Sequence, residues 1–122
     1  MFSVNFMPPD FPNQTVLADT SVKDIWLPTY PKLEGVQTIY VFYEPINANR
    51  VLYVGKTDKL RQRARWHLMG NTFITTQWET LWLRVFTVDA DWLECERILI
   101  RHWLPPFNVN IKKTFKRTIE NP

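Results

Sequence analysis

The chain has 122 residues, 45% of them hydrophobic and 22% charged, which is typical of one globular domain. No apolar run approaches the roughly 18 to 20 residues that a transmembrane helix needs, and the first residues lack the basic and apolar regions of a signal peptide. The net charge of +3 is uneven, because residues 1–49 carry −3 and residues 50–122 carry +6. This asymmetry favours a polyanionic partner for the second part, although a solvated basic surface would give the same balance.

Cysteine usage and aromatic content narrow the class of protein further. The single cysteine, Cys95, allows neither an internal disulfide nor a cysteine-based metal cluster. We therefore expect the protein to work in a reducing compartment, the cytoplasm. Aromatic residues make up 15% of the chain and suit either a packed core or stacking on nucleobases.

Residues 1–34 are interrupted by five prolines, which break any long helix or strand. Only residues 19–27 have the pattern of a short helix, with Asp19, Thr20 or Ser21 as its N-cap. We predict an irregular arm that packs on the domain through its aromatic residues, which are Phe2, Phe6, Phe11, Trp26 and Tyr30. Whether the arm instead makes a dimer contact stays open.

Residues 36–44 and 51–55 are predicted to form the two strands of a β-hairpin. Both segments are rich in β-branched and aromatic residues, and the segment between them contains proline and asparagine, as turns do. The first strand is apolar almost throughout, which indicates a strand covered on both faces. Tyr40 and Tyr53 occupy comparable places in the two strands.

A basic helix over about residues 58–69 follows the hairpin, with Thr57 or Asp58 as its cap. Its inner face, read from helical spacing, consists of Leu60, Ala64, His67 and Leu68. Its outward positions are Arg61, Gln62 and Arg65. Arg63 lies on or beside the inner face, where a long charged side chain requires a partner or an anion.

Residues 80–88 are predicted to form a third strand, and a second helix then runs to about Trp103, capped by Asp89 or Asp91. The inner face of this helix consists of Trp92, Cys95, Ile98, Leu99 and either His102 or Trp103. Glu96 does not fit the division of this helix into an apolar inner face and a charged outer face, because it borders the apolar face. A carboxylate at such a position should bind something. A pair of prolines ends the helix, and a basic tail follows.

Two tyrosines, an inward arginine, an inward glutamate and a loop asparagine remain once the structural residues are set aside. The sequence has no glycine-rich phosphate loop, zinc cluster or Ser/His/Asp set. A lone carboxylate suits one hard cation such as Mg²⁺, which keeps most of its waters. Such a cation stabilises charge on a phosphoryl group, an arginine binds the non-bridging oxygens, and a tyrosine positions or deprotonates a water. Together these parts suffice for phosphodiester hydrolysis.

The same residues resemble the motifs of the GIY-YIG nuclease domain over roughly residues 36–110. The matching segments, in chain order, are Thr38-Ile39-Tyr40, Tyr53-Val54-Gly55-Lys56, Leu60-Arg61-Gln62-Arg63, Glu96-Arg97-Ile98-Leu99-Ile100 and Pro105-Pro106-Phe107-Asn108. Thr38 departs from the pattern, since the family has glycine at that position.

This resemblance implies an α+β fold with a three-stranded antiparallel sheet flanked by helices in the order β-β-α-β-α. The N-terminal arm would cover residues 1–34, the nuclease domain residues 35–110 and a basic tail residues 111–122. The resemblance also implies a DNA endonuclease that hydrolyses phosphodiester bonds with one divalent metal ion, Mg²⁺ or Mn²⁺.

Residue roles follow from the same resemblance. Glu96 would bind the metal, Arg63 would hold the scissile phosphate, and Tyr40 or Tyr53 would act as general base or orient the water, with Tyr40 preferred. The supporting residues would be Lys56, His67 (contacting a phosphate or a tyrosine hydroxyl) and Asn108. The expected DNA contacts are Lys56, Lys59, Arg61, Arg65, Lys112 and Lys113.

Other interpretations of these residues stay open. The chain could be an inactive DNA-binding module of this fold, or a protein-interaction domain whose arm contacts the partner. Arg63 and Glu96 could form a buried salt bridge, His67 and His102 could be packed helix residues, and residues 112–117 could be a solvated tail. Membrane contact is not expected, and a homodimer is left open.

Overall fold

The computed structural model describes residues 7–70 and 79–108. In these residues, four strands form one antiparallel sheet with the order β1-β4-β2-β3, and the strands are β1 (Gln14–Ser21), β2 (Glu34–Glu44), β3 (Arg50–Lys59) and β4 (Trp82–Val88). Helix α1 (Leu60–Gly70) follows β3, and helix α2 (Trp92–Trp103) follows β4. Short 3₁₀ helices cover Val22–Trp26 and Pro45–Asn47. The fold is α+β, as predicted, but its sheet has four strands rather than three.

Strand β1 lies in the segment that was predicted to be irregular, so that prediction is wrong there. Asp19 of β1 lies directly opposite Arg84 of β4. Arg84 donates to Asp19 Oδ2 through Nε at 3.0 Å and Nη2 at 2.8 Å, and the Tyr43 hydroxyl donates to Asp19 Oδ1 at 2.5 Å. Because the Arg84 side chain is only 3% exposed, it needs this carboxylate, and the pair fixes β1 to the sheet.

The short helix predicted after residue 19 is a 3₁₀ helix, Val22–Trp26, and Ser21 is its cap. The Ser21 hydroxyl accepts a hydrogen bond from the Lys23 N–H at 3.3 Å. Of the aromatic residues expected to hold the arm, Phe11 and Tyr30 are buried, whereas Trp26 is 40% exposed. Phe2 and Phe6 lie outside the described residues.

The sheet is covered on both faces, which explains the continuous apolar run in β2. The core on the α1 side includes Tyr40, Phe42, Leu52, Leu60, Ala64, Leu83 and Val85. The core on the α2 side includes Ile39, Val41, Tyr43, Val54, Phe86, Cys95 and Leu99. Successive β2 residues therefore pack on opposite sides of the sheet.

Tyr53 and Tyr40 lie on the same side of the sheet, because Tyr53 is opposite Phe42 in the regular part of the β2–β3 ladder, and a bulge follows in β3. Phe42 lies opposite Tyr53, but Tyr43 lies opposite Val51, so Leu52 is the extra residue. Leu52 and Tyr53 consequently both pack on the α1 side. Strict alternation from Tyr53 would have sent Leu52 to the α2 side, so the bulge adds Leu52 to the core beside the tyrosines.

The two helices begin and end close to the predicted positions. Helix α1 starts at Leu60, two residues later than predicted, because β3 continues to Lys59. The predicted inner residues Ala64 and His67 are buried. The side chain of Leu68 lies outside the described part. Arg61 was expected to point outward, yet it is half-buried and donates to the Tyr30 carbonyl at 3.4 Å.

Helix α2 is capped by Asp91, whose carboxylate accepts a hydrogen bond from the Glu94 N–H at 2.9 Å. Cys95 and Leu99 are buried as predicted, while His102 is exposed and Trp103 is half-buried. In the described residues no helix has the length and apolar character that crossing a membrane requires.

Candidate active site

A buried histidine joins the helix α1 to the sheet. His67 is fully buried, and its Nε2 lies 2.9 Å from the Tyr40 hydroxyl. Aromatic rings surround it at centroid distances of 4.9 Å for Tyr53, 5.3 Å for Phe42 and 4.8 Å for Trp66. Burial, together with the positive charge of Arg63, lowers the pKa of His67 to about 3, so the ring is neutral at physiological pH. His67 is therefore both a packed helix residue and a contact of a tyrosine hydroxyl.

The unprotonated state of His67 predicts an acid-sensitive fold. Between pH 6.5 and pH 3 the unfolded chain binds a proton at His67 that the folded chain does not bind. The free energy of unfolding should therefore fall as the pH falls, by about 3 kcal/mol from pH 7 to pH 4 from this group alone. Urea denaturation at several pH values measures the slope.

Two variants separate the effect of His67 on the pH dependence of stability from the effect of the carboxylates. The carboxylates titrate in the same way in the parent chain and in both variants, so a difference in slope reports His67. His67→Phe should show a shallower decline in stability between pH 7 and pH 4 than the parent chain. Replacing the exposed His102 by Gln should leave the slope unchanged. An equal slope in His67→Phe and the parent chain would contradict the prediction.

The two tyrosines form a coupled pair beside His67. Tyr40 is 2% exposed and Tyr53 is half-buried, their ring centroids are 6.1 Å apart, and their hydroxyls share a hydrogen bond. Burial is the main reason that the pKa of both phenols is raised, and the pKa of Tyr40 is raised the more strongly. Both phenols are therefore neutral at physiological pH in the protein alone.

Arg63 and Glu96 act on these phenols from two different helices. The negative charge of Glu96 raises the pKa of Tyr40 and of Tyr53, and the positive charge of Arg63 lowers both. A cation from α1 and a carboxylate from α2 thus both lie within electrostatic range of the two phenols. Arg63 is exposed and Glu96 is half-buried, which is not the burial that a salt bridge in the core requires.

Gly55 lets the backbone of β3 lie against the ring of Tyr40. A Cβ atom at this position would overlap the Tyr40 hydroxyl and the ring carbon that carries it, and it would lie 2.8 Å from Cε1. Gly55 is directly opposite Tyr40 in the β2–β3 ladder. Only glycine therefore allows the phenol to lie across the neighbouring strand and reach His67.

Asn108 closes the edge of the sheet at β3. Its Oδ1 accepts from the Val54 N–H at 2.7 Å, and its Nδ2 donates to the Val54 carbonyl at 2.8 Å. Both backbone groups of Val54 point away from β2, where the outermost strand would otherwise leave them unpaired. Asn108 thereby attaches the segment after α2 to Val54. Because Val54 is the residue between Tyr53 and Gly55, this attachment stabilises the positions of Tyr53 and Gly55.

Asn108→Ala should lower the free energy of unfolding by about 2–4 kcal/mol, because it leaves two backbone groups of Val54 without partners. Chemical denaturation measures this loss. The exposed Asn13 offers a matched control, and Asn13→Ala should change stability by less than about 0.5 kcal/mol. Equal stability of the two variants would mean that the amide of Asn108 is dispensable.

A threonine occupies the place where the resemblance calls for glycine. Thr38 is fully buried, and its hydroxyl donates to the Thr57 carbonyl at 2.9 Å across the β2–β3 pair. Its own carbonyl accepts from Trp92 Nε1 at 2.8 Å. The added side chain is thus fully accommodated, and the departure from the family pattern does not disturb the strands that carry the tyrosines.

A family model described as GIY-YIG catalytic domain matches residues 37–110 of the chain. The chain belongs to the GIY-YIG family. No curated protein and no solved structure matches the chain significantly. The match begins within β2 and runs beyond Asn108, so the GIY-YIG region contains both tyrosines and both charged candidates.

The basic candidates for DNA contact in this GIY-YIG domain do not share one surface. Lys56 lies opposite Ile39, on the α2 side of the sheet, and its Nζ is 5.1 Å from the centroid of Trp92. Lys59 and Arg65 are exposed, and Cζ of Arg65 is 5.8 Å from the centroid of the Trp26 ring. Lys112 and Lys113 lie outside the described residues. Because Tyr40, Tyr53 and helix α1 with Arg63 are on the other side of the sheet, Lys56 does not share a surface with them.

The donor set fits a hard cation better than a transition metal. Among the described residues, no three or more His, Cys, Asp and Glu side chains cluster as metal ligands. The half-buried Glu96, whose charge acts on the two phenols, supplies a single carboxylate. One carboxylate is sufficient for Mg²⁺, which keeps most of its water ligands. Glu96 is therefore the candidate metal ligand of this GIY-YIG domain.

A cleft of about 360 Å³ opens next to Arg63. Its wall is formed by the end of β3 and the outer face of α1, and consists of Thr57, Asp58, Lys59, Gln62, Arg63 and Trp66. Cζ of Arg63 lies 5.5 Å from the centroid of Trp66, which is 53% exposed. The sequence suggested no site role for Asp58 or Gln62 and only an unsupported stacking role for Trp66, although the helical spacing of residues 59, 62, 63 and 66 was a signal that they share a face.

Proposed function

We propose that this GIY-YIG domain is a DNA endonuclease that hydrolyses phosphodiester bonds with one divalent metal ion, Mg²⁺ or Mn²⁺. The observation that carries the proposal is the match of residues 37–110 to the catalytic domain of a nuclease family, in a region where the charges of Glu96 and Arg63 both act on the phenols of Tyr40 and Tyr53. A phosphodiester substrate also agrees with the charge of +6 on residues 50–122.

Glu96 and Arg63 take complementary roles in this proposal. Glu96 holds the metal ion, which when bound supplies Lewis-acid stabilisation of the phosphate charge. Arg63 is exposed and can donate to the non-bridging oxygens of the scissile phosphate, where negative charge grows in the transition state. The positive charge of Arg63 acts on both phenols, which supports a phosphate site within their electrostatic range.

Tyr53 is the phenol that we assign to the attacking water, although the sequence favoured Tyr40. Tyr40 is only 2% exposed, its hydroxyl is hydrogen-bonded to His67, and its pKa is raised more strongly than that of Tyr53. Tyr53 is half-buried and therefore more accessible to water. A neutral Tyr53 hydroxyl can accept a hydrogen bond from the water and orient it. Tyr40 and His67 then act as positioning residues, because they hold the Tyr53 ring by a hydrogen bond and by edge contacts.

We also propose that the functional domain begins at β1 rather than at residue 35. Strand β1 pairs with β4 along its length, and Asp19 compensates the buried Arg84. Removing residues before 35 would leave Arg84 without its carboxylate and would expose an edge of the sheet. The GIY-YIG core and the segment before it therefore function as one folded unit.

Incubation with a panel of supercoiled, linear duplex, branched and single-stranded DNA tests the proposal. Cleavage is expected in Mg²⁺ or Mn²⁺, and chelation with EDTA should abolish it. DNA binding that depends on salt but gives no cleavage of any substrate in either metal would instead support the inactive DNA-binding module. The absence of both binding and cleavage at low salt would overturn a role with DNA.

A further inference from the structure

We infer that the cleft beside Arg63 binds an unpaired base of the DNA substrate, stacked on the indole of Trp66. This inference rests on the proposed function, because it assumes that DNA is the substrate. It assigns a ligand to three residues that the catalytic proposal leaves unused, which are Asp58, Gln62 and Trp66.

The chemistry of the cleft fits a base on both its flat face and its polar edge. Trp66 is 53% exposed and offers an aromatic surface on which any base can stack. Asp58 and Gln62 supply hydrogen-bonding groups for the edge of a base, and Lys59 supplies a cation for the sugar–phosphate backbone. The volume of about 360 Å³ is within the range of small-ligand pockets.

The carboxylate of Asp58 favours an occupant that carries a hydrogen-bond donor. A phosphate diester has no donor to offer a carboxylate, whereas Lys59 and Arg63 in the same wall can take the phosphates that flank a bound base. The exocyclic amino group of adenine, cytosine or guanine can instead donate to Asp58, as cytosine does to acidic residues in base readout. Among the described residues, Asp58 forms no ion pair that would occupy its oxygens.

The cleft shares a wall with the catalytic residues. Arg63 lines it, and the Trp66 ring meets His67 edge to face at 4.8 Å, while His67 is 2.9 Å from the Tyr40 hydroxyl. A base stacked on Trp66 therefore belongs to a nucleotide close to the phosphate that Arg63 binds. In an intact duplex the faces of the bases are covered by their neighbours, so this contact selects DNA with an unpaired base.

Binding by the full chain carrying Glu96→Gln tests the inference without cleavage. Fluorescence anisotropy in Mg²⁺ compares a fully paired duplex with the same duplex carrying one bulged base. We expect the bulged DNA to bind about tenfold more tightly, and Trp66→Leu to remove that difference while leaving the affinity for paired duplex within about twofold. Trp66→Phe keeps an aromatic surface and should retain most of the difference.

Trp26 provides the matched control, since it is also exposed and also lies under an arginine, Arg65, but does not line the cleft. Trp26→Leu should keep the preference for bulged DNA. A second readout is the identity of the bulged base: the parent chain should prefer cytosine to thymine, and Asp58→Asn should reduce that preference.

The outcomes separate this inference from the proposed function. Equal affinity for bulged and paired DNA, or a preference that survives Trp66→Leu, overturns the base-binding cleft and leaves the nuclease proposal in place. A preference that is lost equally in Trp26→Leu and Trp66→Leu also overturns it. Failure to bind any DNA at low salt overturns both proposals together.

Discussion

Glu96→Gln is expected to lower the rate of DNA cleavage in Mg²⁺ by about a thousandfold or more. Glutamine keeps the size of the side chain and one carbonyl oxygen, but it removes the negative charge that a hard cation requires. Loss of metal stabilisation of the phosphate is equivalent to about 4 kcal/mol in the activation barrier, which gives a decrease of this size. Single-turnover cleavage of a labelled DNA measures the rate.

Glu94 is the matched control on the same helix. It is exposed, two residues before Glu96, and pairs with Arg97 at 4.0 Å and with Arg101 at 3.4 Å. Exposed pairs of this kind contribute little to stability. Glu94→Gln should therefore cleave DNA within about twofold of the parent chain, and both variants should unfold within about 1 kcal/mol of it.

A readout besides cleavage follows from the effect of Glu96 on the phenols. The negative charge of Glu96 is the largest cause after burial of the raised pKa of Tyr53. In Glu96→Gln the pKa of Tyr53 should therefore fall, which an NMR titration of the labelled tyrosine can follow in the absence of metal. Cleavage above a tenth of the parent rate, or an unchanged Tyr53 pKa, would show that Glu96 does not hold the role assigned to it.

The parts of this fold that were predictable from the sequence depend on local patterns. The hairpin is marked by its turn and by two runs of β-branched and aromatic residues. Helix α2 is marked by the spacing of Cys95 and Leu99 and by Asp91 as its cap. These signals lie within one turn or one strand of the residues that they determine, so no knowledge of distant contacts is needed.

Strand β1 was missed because its stability comes from a distant strand. Nothing in the segment before residue 34 has a clear period of two, and its prolines suggested irregular structure. The available signal was Arg84, a charged residue in an otherwise apolar strand, which needed a carboxylate from another part of the chain. Asp19 supplies that carboxylate from 65 residues earlier. A charged residue in a buried strand therefore indicates a missing neighbouring element.

Arg63 and Glu96 were selected from the sequence because each was expected to border an apolar helix face. Glu96 is half-buried, but Arg63 is exposed, so its predicted inward position is wrong, and the roles of both stay predictions. The outward placement of Arg61 was wrong, because the segment ending at Tyr30 covers that flank of α1. The bulge at Leu52 was also beyond prediction, since it depends on how β3 pairs with β2 rather than on its own sequence.

Gly55→Ala is expected to damage both the fold and the site. The added Cβ would overlap the ring of Tyr40, which is confined by Phe42 at 5.7 Å and by His67 at 5.6 Å between ring centroids. Overpacking of this kind costs about 1–3 kcal/mol of unfolding free energy. Displacement of Tyr40 by about 1 Å would also move Tyr53, and DNA cleavage should fall by about a hundredfold.

Gly35→Ala separates these two effects. Gly35 has a φ of +77°, so alanine there is strained, but apart from its two chain neighbours no atom of the described residues lies within 4 Å of the added Cβ. The strain should cost about 1–2 kcal/mol, comparable to the loss in Gly55→Ala, without touching Tyr40. Thermal unfolding and single-turnover cleavage of both variants should therefore show similar losses of stability but a large loss of cleavage in Gly55→Ala alone. If cleavage falls equally in both, activity follows overall stability, and the approach of Gly55 to Tyr40 has no special role.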